Sequence, residues 1–376
     1  MGAADCLLSR ADPAGPFASA HRLRQALGSS SLPDDAAACL RDLIRLGLDQ
    51  LPQPGSGHTL ERWRALAGVA EHDLSLAKLY EGHTDALAIF CELDHAPSHP
   101  VAPGKKPEQM PSGNEVVWGV WASEAPGGRV SFDSGTPVAD GAVVLNGVKH
   151  WCSGAKSGSH ALLTVWQDEG QEQVQQPQLA WLNLAQPGVQ VFSESWKAVG
   201  MNGSASLRVQ LTGASAYLVG EPGQYLTRPG FWQGGAGVAA CWYGGAHKLA
   251  KTLYRAVEEG PESARSPFRL AAAGRVAVMM RATALMLQDA ARWIDMHPQG
   301  DASEIALGAR LAAASCAANV LEEVAAALGA TPFCSDAAFA RAAADLPVFI
   351  RQSHGDRDYA ALGRQLMSRG EGLWAL

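Results

Sequence analysis

Three neighbouring runs decide how this chain folds: VVWGVWASEAPGGR (residues 116–129), VVLNGVKHWCSGAK (143–156) and SHALLTV (159–165). Each mixes β-branched and aromatic residues at a spacing near two, the pattern of half-buried strands. Asn146-Gly147, set between apolar residues, predicts a two-residue hairpin turn. The pair Gly127-Gly128 and the run Ser153-Gly154-Ala155 predict places where backbone approaches whatever lies above the sheet.

Outward from this centre the periodicity changes. Residues 16–93 predict helix: Leu23 and Leu27, then Leu40, Leu43, Ile44, Leu46 and Leu48, recur at helical spacing, with Pro33-Asp34 as a start. Pro52 to Gly57 predicts a loop, after which the helical pattern resumes at Leu60 and runs towards Leu93. The proline-rich stretch from His95 to Gly113 predicts a linker. Strand candidates follow at 116–122, 128–132, 142–149, 161–166, 178–184, 188–193 and 206–212, as in a small antiparallel barrel or sandwich. Gln167 to Gln178 predicts a solvent-facing loop.

From Trp232 helix returns, with a glycine- and alanine-rich opening (Gly234 to Ala246) suited to close packing on a neighbour or ligand. Helices at 247–259, 267–297, 302–329 and 335–350, with apolar positions such as Val276, Met280 and Leu287, suit a long antiparallel four-helix bundle.

The order of helices, strands and helical bundle resembles the acyl-CoA dehydrogenase family, and the motifs carry the resemblance further. Ser123-Glu124-Ala125-Pro126 is similar to that family's Thr-Glu-Pro loop, although Gly127-Gly128-Arg129 stands where its Gly-Ser-Asp follows. Asn146-Gly147-Val148-Lys149 resembles its Asn-Gly-x-Lys segment, and Trp151-Cys152-Ser153 its Trp-x-Ser/Thr pair. Asp73 to Ala77 and the following His83 resemble a helix that lies beside the family's substrate channel. Trp196 to Ser206 resembles a Leu-Gly-x-Arg-x-Ser strand start, with Asn202 in place of the arginine.

The resemblance implies an α+β fold in three parts: an N-terminal helical domain (1–114), a middle antiparallel β domain (115–228) and a C-terminal four-helix bundle (229–376). It implies a bound flavin, FAD or the smaller FMN. Ala122 and Ser123 would meet the polar edge of the ring, with Gly128 in the same loop. Trp151 would cover one face and Ser153 would hydrogen-bond near the reactive nitrogen. A flat, partly polar ring needs this combination of aromatic face and placed donors. The plain structural alternative makes Trp151 a core residue and Ser123 a turn residue. No clean match to the family's Arg-x-x-Phe-Gly phrase appears between Glu258 and Arg269, and its Gln-x-x-Gly-Gly phrase survives only as Ala326 to Phe333. Ring binding is therefore clearer than dinucleotide binding, and FMN or free reduced flavin fits as well as FAD.

The acid–base residue departs from the family's pattern. Its dehydrogenases take the substrate's α-proton with a glutamate in a Tyr-Glu-Gly-Thr phrase, and a carboxylate desolvated in an apolar channel is basic enough for that. The matching segment runs from Ile350 to Tyr359 and puts His354 at the glutamate position and Asp356 at the threonine position. The family's other location, on the first bundle helix, corresponds to Gln233 to Gly237 and also lacks a carboxylate.

Three readings stand. His354 abstracts the proton, and the chain oxidises an acyl thioester and passes electrons to an acceptor flavoprotein. Alternatively His354, Asp356, Tyr359 and Gly363 echo the family's flavin monooxygenase branch, which a separate flavin reductase serves. The third is a flavin- or acyl-binding protein without turnover.

Composition bounds these readings. The chain has 376 residues, 47% of them hydrophobic, and a formal charge of −7 with a pI near 5.9, which lacks the basic footprint of nucleic-acid binding. Seven widely spaced cysteines without a Cys-x-x-Cys suit a reducing compartment. His72, His83, His150, His160 and His247 are scattered with no evident carboxylate partners, so no metal site is expected. No uninterrupted apolar run reaches the length of a membrane span. The expectation is a cytoplasmic homo-oligomer, the family assembling through its bundle.

Overall fold

The computed structural model describes residues 17–28, 32–93, 111, 113–132, 142–168, 176–260 and 266–367. The predicted linker is outside the described residues apart from Pro111 and Gly113, as are parts of the glutamine-rich loop and of the stretch 258–269. Four helices come first: α1 (Phe17–Leu27), α2 (Ala36–Arg45), α3 (Thr59–His72) and α4 (Leu74–Leu93). Asp35 caps α2 by accepting the Ala38 N–H at 2.8 Å, and Asp73 caps α4 by accepting the Leu76 N–H at 2.7 Å.

All seven expected strands form: β1 (Trp118–Trp121), β2 (Val130–Phe132), β3 (Val143–Cys152), β4 (His160–Gln167), β5 (Gln178–Asn183), β6 (Val189–Phe192) and β7 (Leu207–Val219). β4 pairs with β5, β5 with β7, β7 with β3, β3 with β2, and β2 with β4, which closes a small ring. β1 lies further along β4 and β6 further along β7. The sheet is mixed and not wholly antiparallel as expected, because β1 and β2 both run parallel to β4. Alternation of side chains sorts β4: Ala161, Leu163 and Val165 fill the ring's interior, and Leu162 faces α4.

The predicted hairpin at Asn146-Gly147 is corrected. β3 runs straight through it, with Asn146 and Gly147 paired to Ser131 and Val130 on one side and to Thr212 and Leu211 on the other. The register shifts between Leu145 and Asn146, as at a β-bulge. The Asn146 side chain accepts the Gly213 N–H at 2.8 Å. Gly147 has φ +131°, and a Cβ there would lie 2.0 Å from the Arg129 carbonyl oxygen. The glycine serves the close approach of the Arg129–Val130 backbone of the neighbouring strand, so its turn-like neighbour misleads.

The second helical set is α5 (Pro229–Glu258), α6 (Pro267–Met296), α7 (Ser303–Leu328), α8 (Ala337–Phe349) and α9 (Asp356–Met367). α5 starts earlier than expected, with Pro229 at its first position, so the glycine-rich stretch belongs to it. Side chains of both helical sets share one core, in which Leu66, Leu74 and Tyr80 join Trp242, Ala309 and Leu346. A separate core joins Ala86, Ile89 and Phe90 of α4 to Trp118 and Leu162 of the sheet. By length and composition α6 and α7 could each cross a membrane. Here they pack on each other and on α5, which leaves Phe268 (85% exposed) and Val278 (70%) outward.

Candidate functional site

After β1 the chain turns through Ala122 to Gly128. Glu124 in this turn accepts a hydrogen bond from Lys149 Nζ at 2.6 Å, and Lys149 Nζ also donates to Thr164 Oγ1 at 2.7 Å. The Thr164 hydroxyl closes the triangle by donating to Glu124. Lys149 is 1% exposed; burial pulls its ammonium below the usual lysine range, and the Glu124 hydrogen bond opposes that. The Asn-Gly-x-Lys lysine thereby anchors the loop that carries Ser123, which is itself exposed. Gly128 is occupied differently from the expectation: a Cβ there would lie 2.6 Å from the His150 ring, so its open side faces protein.

Among the described residues only three non-glycine residues have positive φ: Trp151 (57°), Met201 (58°) and Ala205 (43°). They surround one hydroxyl chain. Ser153 Oγ is 2.8 Å from Ser206 Oγ, Ser206 Oγ is 2.9 Å from Ser204 Oγ, and Ser204 Oγ donates to the Met201 carbonyl at 2.7 Å. The Gly154 N–H donates to the Ser204 carbonyl at 2.8 Å, which ties the two strained segments together. Strain of this kind, held by surrounding packing, concentrates at functional sites. Trp151 sits in an irregularity of β3 between Lys149 and Cys152 and is 54% exposed, so it is no core residue. The backbone of Ser153 accepts the Trp121 Nε1–H at 3.0 Å. Trp151 and Ser153 thus form a ledge with an open indole and a supported hydroxyl, the aromatic face and placed donor that a flavin ring would need.

A crevice of about 10 Å³, room for one water, runs from Ser153 and Gly119 to Lys78 and Gly82 on α4. Beyond it α4 turns a charged face inward: Lys78, Glu81, Asp85 and Glu92 fall on one side at spacings of three, four and seven. Lys78 pairs with Glu81 at 2.8 Å, and Glu92 pairs with Arg228 and accepts the Gly230 N–H at 2.9 Å. Asp85 makes no hydrogen bond or ion pair among the described residues and points at α5, where a Cβ on Gly234 would lie 2.8 Å from its Oδ1. Burial raises the Asp85 carboxyl above the usual range, with Arg228 acting against it.

His83, on the same helix, is structural. The Trp118 N–H donates to its Nδ1 at 3.1 Å, so Nε2 carries the proton and donates to Asp49 at 3.1 Å. His83 therefore has a carboxylate partner, as does His247, which lies 3.2 Å from Glu71. Both pairs span distant sequence and were invisible to spacing. No group of three or more metal-ligating side chains occurs among the described residues.

His354 is 63% exposed and pairs with Asp358, whose carboxylate lies 3.4 Å from its Nδ1 and accepts its backbone N–H at 2.9 Å. Asp356 stands exposed in the first turn of α9, where a carboxylate favours the helix start. No hydrogen bond, ion pair or ring contact among the described residues joins either of them to Trp151 or Ser153. Arg310 ties this segment down: it donates to the Gln352 carbonyl at 2.9 Å and to the Gly235 carbonyl at 2.7 Å. Arg310 thus links the two family locations for a base, and Asp85 on the opposing helix lies against Gly234 of one of them. Sequence reading missed Asp85 because only the inward spacing of Lys78, Glu81 and Asp85 marks it.

No family model matches the chain, and no curated protein matches its sequence. Its fold matches solved structures over nearly its whole length, and it is the acyl-CoA dehydrogenase fold. Butyryl-CoA dehydrogenase from Megasphaera elsdenii aligns with a TM-score of 0.73 and 14% identity, covering 95% of this chain and 99% of that one. FMN-bound TdsC from Paenibacillus sp. A11-2, a dibenzothiophene monooxygenase, aligns with a TM-score of 0.73 and 18% identity, covering 94% and 96%. Methanesulfinate monooxygenase MsuC from Pseudomonas fluorescens aligns at 0.71 and 16%, covering 95% and 97%.

Proposed function

We propose that the chain is a flavin-dependent oxidoreductase that takes FMN in its reduced form and acts as a monooxygenase. The observation that carries the flavin reading is the Trp151–Ser153 ledge, with its three strained residues around one hydroxyl chain. Support for oxygenation over dehydrogenation is the absence of a carboxylate at both family base positions, together with the oxygenases among the structures of this fold. Reduced flavin supplies electrons for activating oxygen. This chain's part is to hold the ring on Trp151, to present the Ser153 hydroxyl at its edge, and to fix the Ser123 loop through Lys149 and Glu124.

The second reading, an FAD-dependent dehydrogenase of acyl thioesters, is favoured by the fold match to butyryl-CoA dehydrogenase. The proposal includes a flavin reductase as electron source, a cytoplasmic location and the three-part division at about residues 114 and 228. It also includes assembly with further copies of the chain, which the outward Phe268 and Val278 on α6 support.

The test is oxygen uptake by the purified protein with chemically reduced FMN, alongside anaerobic mixing of the FAD-loaded protein with butyryl-CoA. Binding of reduced FMN with oxygen consumption supports the proposal. Bleaching of FAD by butyryl-CoA transfers it to the second reading, and no flavin binding in either state refutes both.

A further inference from the structure

The loop from Trp196 to Ser206 is joined to α8 by one buried acid. Gly200 lies close against that helix, where a Cβ would collide with the Ala344 carbonyl and meet Val348 Cγ2 at 3.0 Å. On the next residue of each segment, the Met201 N–H donates to the Asp345 carboxylate. Asp345 is 3% exposed, and among the described residues its side chain makes this hydrogen bond and no ion pair. Two cations that act on it are engaged elsewhere: Arg341 lies 3.7 Å from Asp73, and Lys248 donates to the His72 carbonyl. Burial pushes the Asp345 carboxyl above the usual range, and the Met201 N–H opposes that. A buried carboxylate outside any ion pair is costly, so stability alone gives no reason for an acid here.

What the acid holds is strained backbone. Met201 has φ 58°, and both peptide planes flanking it are pinned. In the plane before it, the N–H goes to Asp345 and the Gly200 carbonyl accepts the Trp196 Nε1–H at 3.2 Å. In the plane after it, the Met201 carbonyl accepts the Ser204 hydroxyl at 2.7 Å. A non-glycine residue keeps a left-handed conformation when its surroundings over-determine it in this way. From Ser204 the hydroxyl chain runs through Ser206 to Ser153, so Asp345 stands at the opposite end of the chain from the ledge.

We propose that Asp345 is a positioning residue for the ledge: through Met201 it fixes the turn that carries Ser204, and through the hydroxyl chain it fixes Ser153. The use of that positioning rests on the flavin reading, because Ser153 is the hydroxyl assigned to the ring.

The test uses the full chain and two readouts, one without flavin and one with it. Hydrogen exchange without flavin follows the Gly154 amide, which donates to the Ser204 carbonyl at 2.8 Å. FMN titration gives the affinity. Wild type is compared with Asp345→Asn, which keeps an acceptor oxygen for the Met201 N–H, and with Asp345→Leu, which keeps the bulk and has none. In Asp345→Leu, Gly154 is expected to exchange about tenfold faster and FMN to bind about tenfold more weakly, the worth of one hydrogen bond. Asp345→Asn should stay within about threefold of wild type in both readouts. Ser204→Ala cuts the chain beyond Met201, so adding Asp345→Leu to it should weaken FMN binding no further. Additive losses in that double variant, or unchanged Gly154 exchange in Asp345→Leu, would overturn the assignment. Equal losses in Asp345→Asn and Asp345→Leu would also overturn it, since the acceptor oxygen would then not be what matters. Should Asp345→Leu not fold, Asp345→Ala takes its place in each comparison. Wild type that binds no FMN refutes the flavin reading, and the Gly154 exchange decides the positioning separately.

Discussion

Trp151 holds a left-handed backbone, φ 57°, within a strand segment, and that conformation can be tested apart from its side chain. At ordinary strand positions glycine is less stable than alanine by roughly 0.5–1 kcal/mol, because it loses more freedom on folding. The left-handed region costs a residue with a Cβ roughly 1–2 kcal/mol. The order therefore inverts at position 151: Trp151→Gly is expected to be more stable than Trp151→Ala by about 1 kcal/mol. Both variants lose the same half-buried indole, so that loss cancels in the comparison. In a chain of this length the difference amounts to about 2 °C in melting temperature, which differential scanning fluorimetry resolves. FMN affinity should fall in both variants alike, since both remove the ring cover. An alanine variant as stable as the glycine variant, or more so, would refute the claim that the site stores backbone strain.

Further expectations follow from the same geometry. Lys149→Met removes the hydrogen bond to Glu124 and the one to the Thr164 hydroxyl, and because Glu124 is part-exposed and regains water the cost is about 1–2 kcal/mol. FMN titration of that variant should show weaker binding, because the Ser123 loop is freed. Gly147→Ala puts a Cβ 2.0 Å from the Arg129 carbonyl at φ +131°, so denaturant unfolding should show a loss of about 3 kcal/mol or more. Glu71 accepts from His247 and Lys251, and that pairing lowers its carboxyl from 4.5 to about 2. A lowered carboxylate contributes stability above its unfolded value and loses it as pH falls through the folded one. The destabilisation of Glu71→Gln should therefore be full at pH 6 and shrink progressively between about 4.5 and 2, read from urea midpoints.

The strands were legible because each β-branched run is bounded by glycine, proline or asparagine, and the helices because leucine and alanine recur at helical spacing. What the sequence concealed was decided by tertiary pairing. Asn146-Gly147 has the composition of a turn, but its conformation is set by the Arg129 backbone just before the neighbouring strand β2, outside the local window. The parallel pairing of β1 and β2 with β4 depends on where a later strand inserts, which local pattern does not encode. Trp151 and Ser153 were readable from their motif, whereas their support from Ser204 and Ser206 was not. His354 was matched by position alone, and the structure pairs it with Asp358 in preference to Asp356. Asp85 carried no motif, and its isolation is visible only against the glycines of α5.

The central claim is that Trp151 and Ser153 form a flavin ledge. The most direct measurement is an anaerobic fluorescence titration of the purified chain with reduced and oxidised FMN, repeated on Trp151→Ala and Ser153→Ala. Saturable binding of reduced FMN to the wild-type chain, weakened in both variants, is the predicted result. No binding in either redox state, or binding that neither substitution alters, would contradict it.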